Sequence, residues 1–344
     1  MRINDLFKEG NSKPYIIAEV SQNHDGSLGQ AHAFIEAVAK TGADAIKFQT
    51  HIAEEESTIY EPFRVKFSYE DDTRYEYWKR MEFTEEQWQG LYDHAMNVGL
   101  DFLSSPFSIK ALDMLDRIGV PAWKFGAGEV FNDQLLNRAI KTGKPILLST
   151  GLSTYTDIDN QVKRVRMNGN EVLLFQCVTA YPSKAEMIDI NLVKDFQERY
   201  KCKVGISDHS ATIYPALAAT TLGANAIEVH VTMSPYMFGP DVKASVDIEQ
   251  LKQIVEGSSF ISTMNNVKTD MSIRLSEREE LKKMFSKSLF AVMDLPEGTV
   301  ITEEMFQAKK PNIGIDSKDI SDILGKKIKR KIGKNEPIRW EDIV

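Results

Sequence analysis

Short apolar runs alternate with longer amphipathic stretches along most of the chain. PYIIAEV (14–20), DAIKFQ (44–49), LDFLSS (100–105), PAWKFG (121–126), PILLST (145–150), EVLLFQCV (171–178), KVGIS (203–207) and NAIEVHV (225–231) each read as a strand. Each is followed by apolar residues at three- and four-residue spacing, as in FTEEQWQGLYDHAMNVG, IKALDMLDRIG and TIYPALAATTLGA, which is the spacing of one helix face. Gly42, Gly99, Gly119, Gly143 and Gly223 fall where helix C-caps belong. Eight strand–helix repeats predict a parallel sheet covered by helices, closed into an α/β (β/α)8 TIM barrel. The 50–83 run is too long for a plain loop and is expected to form an insertion over the barrel mouth.

Near residue 260 the rhythm breaks. NNVKTDMSIRLSEREELKK is polar and charged, which suits a linker or a solvated helix. After it, short β-like runs are separated by turn signals such as PEGT and GKNEP. The expected domains are a barrel over 1–265, a linker over 266–285 and a compact β-rich domain over 286–344.

Composition narrows the classes. Hydrophobic residues make up 42% and charged residues 27% of the 344, an ordinary globular balance. A net charge of −8 argues against general nucleic-acid affinity. The basic run GKKIKRKIGK, confined to one short β-region, reads as a solvated edge. No apolar stretch approaches the ~18 residues of a membrane span, and MRINDLFKEGNSKPY lacks the apolar core of a signal peptide. Cys177 and Cys202 have no metal-ligand spacing and read as reduced thiols of a cytoplasmic protein.

Barrel active sites lie at the C-terminal strand ends, where this chain is dense in polar groups. They run from Glu19 to His24 after the first strand, through Lys47, Gln49 and His51, then Ser104-Ser105-Pro106. Next come Lys124 with Glu129, Ser149-Thr150-Gly151, Thr179 with Tyr181, Ser207-Asp208-His209, and finally Glu228 with His230. His209 and His230 end adjacent strands, so their rings can converge on a borderline divalent ion such as Mn2+ or Zn2+; a hydrogen-bonded core pair is the alternative. His24 and His51 read equally as substrate-orienting or as satisfied loop histidines. Lys47 and Lys124 interrupt apolar strands, where an unpaired ammonium is costly, so each faces an anion or an internal carboxylate, for example Lys124 with Glu129. The Ser-Thr-Gly and Ser-Ser-Pro turns add donors suited to phosphate.

Together IIAEVSQNHDGSL, ADAIKFQTH, FLSSPFS, PAWKFGAGE, ILLSTG, VTAYP, VGISDHS, EVHVT and GPDVKAS resemble the sialic acid synthase family, from about residue 14 to the C-terminus. The last part is similar to its SAF (antifreeze-like, β-clip-like) domain. The resemblance implies metal-dependent condensation of phosphoenolpyruvate with an N-acylated hexose, N-acetylmannosamine or a diacetamido hexose, to give a nonulosonic acid. It implies a metal on His209 and His230, with Mn2+ first and Mg2+, Co2+ or Zn2+ as alternatives, and Asp241 holding a metal-bound water. By the same resemblance Glu19 lies near the reacting sugar carbon. Lys47, Gln49, Ser105, Lys124, Ser149, Ser207 and Lys282 take phosphoenolpyruvate, and Glu129 and Tyr181 take the sugar. A domain-swapped homodimer is also implied. Two positions depart from the family pattern: Lys310 stands where an arginine reaches the acyl group, and Val229 stands where a basic residue precedes the second histidine. A Schiff-base pyruvate aldolase using Lys124 or Lys47, and a non-catalytic carbohydrate-binding protein, are the competing readings.

Overall fold

The computed structural model describes residues 2–8, 13–276 and 278–344; residues 1 and 9–12 of the amino-terminal segment and 277 of the expected linker lie outside the described residues. The chain divides into two units, 1–266 and 267–344.

In the first unit, β1 (Tyr15–Ser21), β2 (Ala45–Thr50), β3 (Asp101–Pro106), β4 (Trp123–Phe125), β5 (Ile146–Ser149), β6 (Val172–Cys177), β7 (Lys203–Asp208) and β8 (Ala226–Thr232) are the expected strands. They pair in the order β3-β2-β1-β8-β7-β6-β5-β4. The two ends of that path, β3 and β4, lie against each other, so the parallel sheet curls into a nearly closed (β/α)8 barrel. A short β9 (Val246–Asp247) extends from β8 in parallel. Local chemistry starts and stops the helices. Ser27, Thr84, Ser108 and Thr154 accept the N–H of Gln30, Gln87, Ala111 and Asp157 at helix N-termini. Gly119 ends helix Ile109–Ile118 at a φ of 102°, a left-handed cap.

Strand alternation sorts side chains between two cores. Ile16, Ala18 and Val20 of β1 join Phe48, Phe102, Trp123 and Phe125 against the helices. Tyr15 and Ile17 join Leu103, Leu147, Leu173 and Phe175 in the barrel interior. Gly205 belongs to the interior set, where a Cβ would come within 2.5 Å of the Ala226 carbonyl oxygen and 2.9 Å of the Phe175 ring. Val229 faces the helix layer at 1% exposure, so its departure from the family pattern lies outside the barrel mouth. His24 also turns that way, its ring 4.9 Å from Phe83 and 6.2 Å from Phe48.

The short helix Ile3–Leu6 buries both terminal residues in the interior cluster, at the N-terminal pole. Asp101, the first residue of β3, anchors it. Its carboxylate accepts the Ile3 N–H at 2.6 Å, the Tyr15 hydroxyl at 2.7 Å and Arg2 Nη1 at 2.7 Å.

The insertion after β2 carries helices Ala53–Glu56 and Arg74–Met81. Ala53, Tyr77, Trp78 and Met81 form its own small core.

The second unit holds helices Met271–Ser276 and Glu279–Phe285, then an antiparallel pair, β10 (Ser288–Ala291) and β11 (Phe306–Lys309). Isolated bridges such as Leu295 with Ile332 and Ile328 with Ile343 complete a small β framework around Leu289, Ile301, Ile315 and Ile338. In the basic run, Ile328 and Ile332 point inward and Lys327, Lys329 and Lys331 are exposed. Arg330 is paired with Glu336 and Asp342.

Asp101→Ala leaves the Ile3 N–H and the Tyr15 hydroxyl without their acceptor, and is expected to lower unfolding free energy by roughly 2–4 kcal/mol in urea titration. An unchanged midpoint would refute the anchor. Stability also depends on pH through His24. Burial, aided by His51 and Arg80, lowers its pKa from 6.5 to about 3. Because the folded pKa is depressed, this imidazole's share of stability is complete above pH 6.5 and is lost as pH falls from there toward 3. The urea midpoint should therefore drop over that window, and drop less in His24→Gln.

Candidate active site

The inner face that is apolar at the bottom becomes polar one turn of the pleat higher. Glu19 (β1), Lys47 (β2), Lys124 (β4) and Glu228 (β8) all reach into the interior and are at most 3% exposed. Lys47 pairs with Glu19 and lies 3.8 Å from Glu228 Oε2, while Lys124 lies 3.2 Å from Glu228 Oε1. Register explains the first contact, since Glu19 is the direct neighbour of Lys47 across β1 and β2.

Hydroxyls and an amide fill the gaps. Lys124 Nζ donates to Ser149 Oγ at 2.7 Å, Ser207 Oγ donates to Glu228 at 3.0 Å, and Lys47 Nζ reaches Ser105 Oγ at 3.4 Å. Gln49 Nε2 donates to Glu19 Oε1 at 3.0 Å. The internal pairing considered for Lys124 therefore exists, but its partner is Glu228 and not Glu129. Glu129 lies in the 3-10 turn Glu129–Phe131 after β4 and accepts from Asn132 Nδ2 at 3.2 Å. Burial raises its carboxyl pKa, with the nearby Glu56 adding to the rise.

The four interior charges perturb one another. Burial pushes Glu228 up, but the Lys124 and Lys47 ammoniums outweigh it and hold the carboxyl at about 2. Burial raises Glu19, opposed by Lys47 and reinforced by repulsion from Glu228. Burial also lowers Lys124, whereas Lys47, with two carboxylates beside it, ends above the usual lysine range.

A second layer sits nearer solvent. A β-bulge separates Glu19 from Ser21, and Ser21 has a φ of 51°. That kink aims Ser21 Oγ at Asp241 Oδ2, 2.6 Å away on the loop after β8. His209 directly follows β7 and His230 lies near the end of β8, with ring centroids 5.1 Å apart, and Tyr181 lies 4.1 Å from the first and 5.8 Å from the second. His209 Nδ1 is held by the Val178 carbonyl at 2.8 Å. His51 is stacked between Trp78 at 4.0 Å and Phe107 at 4.3 Å, and bridges Glu56 at 2.5 Å to Gln22 at 2.9 Å. Lys282 and Lys310 belong to the second unit. Lys282 lies on helix Glu279–Phe285, and Lys310 Nζ sits 5.2 Å over the Phe285 ring.

Two residues were given no role from the sequence. Glu228 stood among the strand-end polar residues, but only the barrel register shows it bridging two lysines. Arg64 lies in the insertion, where no periodicity marked it; its guanidinium is 4.3 Å over the Tyr181 ring and 3.6 Å from Asp241.

His209 and His230 suit two ligands of a divalent ion. Burial holds the His209 imidazole neutral, with a pKa lowered to about 3, and it lowers His230 as well. His230 Nδ1 is buried without a hydrogen-bond partner among the described residues. Among the described residues no cluster of three or more His, Cys, Asp or Glu forms a complete metal cage, so further ligands would come from water or substrate.

The NeuB family profile matches residues 34–269 and the SAF domain profile matches 286–344. The chain is 30% identical to the pseudaminic acid synthase of Helicobacter pylori, over 96% of this chain and 98% of that one. It is 31% identical to the N,N'-diacetyllegionaminic acid synthase of Campylobacter jejuni, over 95% and 99% of the two chains. The N-acetylneuraminic acid (sialic acid) synthetase of Leptospira borgpetersenii, solved with citrate, superposes with a TM-score of 0.69 at 26% identity, over 80% of this chain and 94% of that one. With both profiles matched in order and relatives aligned from end to end, the chain belongs to the NeuB family.

Proposed function

We propose that this chain condenses phosphoenolpyruvate with an N-acylated amino-hexose and water, giving a nonulosonic acid and phosphate. The observation that carries the reading is the pair of buried strand lysines, Lys47 and Lys124, set among three serines and two carboxylates directly beneath His209 and His230. Relatives named as pseudaminic and legionaminic acid synthases support it.

In this reading Lys47 and Lys124, with Ser105, Ser149 and Ser207, orient the phosphate and carboxylate of phosphoenolpyruvate. Gln49 joins them on phosphoenolpyruvate through its contact with Glu19, and Glu129 and Tyr181 position the sugar. A divalent metal on His209 and His230, Mn2+ foremost, would supply polarisation of the open-chain aldehyde. C3 of phosphoenolpyruvate forms the new bond to the aldehyde carbon, whose oxygen takes up a proton. Water adds at C2 and gives its proton to Glu19 or Asp241. The C2–O bond to phosphate then breaks as the C2 hydroxyl gives its proton to the departing phosphate, leaving a ketone and free phosphate. Glu19 suits the acceptor role because burial and Glu228 already raise its affinity for a proton. The Schiff-base alternative has one supporting feature, the lowered pKa of Lys124; borohydride trapping with pyruvate tests it.

Wild-type protein given Mn2+, phosphoenolpyruvate and a panel of acylated hexoses should release phosphate with at least one, and mass spectrometry should find the adduct. No phosphate with any sugar would sink the reading. Lys124→Met keeps the length of the side chain without its charge. It should lower kcat/KM for phosphoenolpyruvate by about 100-fold or more, as expected for a lost charged hydrogen bond, with a smaller change for the sugar. Steady-state kinetics with each substrate varied in turn checks this.

A further inference from the structure

Residues 57–73 join the two helices of the insertion without regular structure, yet they are pinned at several points. Phe63 and Phe67 pack on the insertion's own core, with Phe67 edge-on to Tyr77 at 4.9 Å. Glu61 accepts from Trp78 Nε1 at 3.0 Å and pairs with Arg74 at 3.1 Å. The segment also meets the loop after β8, where Phe67 and Tyr69 each lie 5.9 Å from Phe238.

Arg64 stands between these anchors. Its guanidinium lies over Tyr181 and faces Asp241, so loops after β2, β6 and β8 converge on one side chain. At 3.6 Å the Asp241 contact is longer than a hydrogen bond, and Arg64 donates none among the described residues. The side chain is 47% exposed. A planar cation resting on an aromatic face has given up much of its rotamer freedom, while its fork of N–H donors remains unspent.

We infer that Arg64 is a substrate-positioning residue that donates to hydroxyl and acylamino oxygens of the acceptor sugar, and that its loop sets which acylated hexose is accepted. This rests on the condensation proposed above. The deep lysines already serve the two anionic groups of phosphoenolpyruvate. Asp241 offsets the charge of Arg64, which suits neutral oxygen acceptors better than another anion. The contacts with Tyr181 and Asp241 place the guanidinium at the level of the histidine pair, above the lysines.

The alternative is a surface ion pair of Arg64 with Asp241, which would add little to stability and nothing to selectivity. Arg64→Ala and Arg64→Lys separate the two when assayed with Mn2+, phosphoenolpyruvate and the hexose panel, alongside melting temperatures. We expect KM for the sugar to rise about tenfold or more in Arg64→Ala, with KM for phosphoenolpyruvate within about twofold and the melting temperature unchanged. Arg64→Lys should restore little of the loss, because lysine lacks the planar fork, and the ranking of hexoses should flatten in both variants. Wild-type turnover with an unchanged sugar KM and ranking in the variants overturns this inference alone, as does an effect that falls on phosphoenolpyruvate instead. Absence of turnover in the wild type with every hexose overturns the condensation and the inference together.

Discussion

Glu19, Lys47, Glu228 and Lys124 share the floor of the barrel mouth almost fully buried, and their mutual neutralisation constrains what surrounds them. A single ammonium or carboxylate in that position would cost several kcal/mol. Alternation of sign removes most of that cost, and Glu228 stands central because it meets both lysines. The arrangement requires Glu19 and Lys47 to be register neighbours on β1 and β2, with Ser207 beside Glu228 on β7 and β8. A slip of one residue in any of these strands would turn a charge into the apolar helix layer. The quartet therefore specifies strand register as well as furnishing chemistry.

The same alternation divides the barrel interior along its axis. Toward the N-terminal pole the inward residues are Tyr15, Ile17, Leu103, Leu147, Leu173 and Phe175, closed by Ile3 and Leu6 of the short amino-terminal helix. Toward the other pole the next inward residues are the charged four and their serines, then Ser21, His209 and His230. Apolar burial at one end supplies stability that offsets the polar, ligand-seeking end. Gly205 shows how little slack the apolar half has, since a methyl group there would meet the neighbouring strand.

Much of this was legible in the sequence because strand phase is a local property. Eight apolar runs with polar residues at their C-terminal ends were enough to place Lys47, Lys124, His209 and His230 around one mouth. Pairing was less legible, because it depends on how strands are staggered around the barrel. Lys124 has Glu129 five residues away in sequence, yet it meets Glu228, carried in from a distant strand. Val229 looked like a change to the site because it precedes a histidine of the mouth, but adjacent strand residues face opposite sides. Arg64 was invisible for a different reason. Its segment has no period, and its position is fixed by aromatic contacts among Phe67, Tyr77 and Phe238, which are distant in sequence.

A neutral quartet poses a problem for any anionic ligand, since the positive charge of both lysines is already engaged. Arrival of phosphate and carboxylate groups has to be matched by loss of negative charge from the floor or by cations brought in with the ligand. Of the two carboxylates, Glu228 is held ionised by both ammoniums, whereas burial and repulsion from Glu228 favour protonation of Glu19. Glu19 is thus the carboxyl more ready to take a proton, and a proton on it would release Lys47 toward the ligand. Gln49 already donates to Glu19 Oε1, so the protonated carboxyl keeps a partner in either state. In the proposed reaction the water that adds at C2 must lose a proton close to this position. Glu19 can take only one proton. It receives the one the water loses only if it is still ionised when the ligand is bound, the charge of the anion then being met by cations that arrive with it.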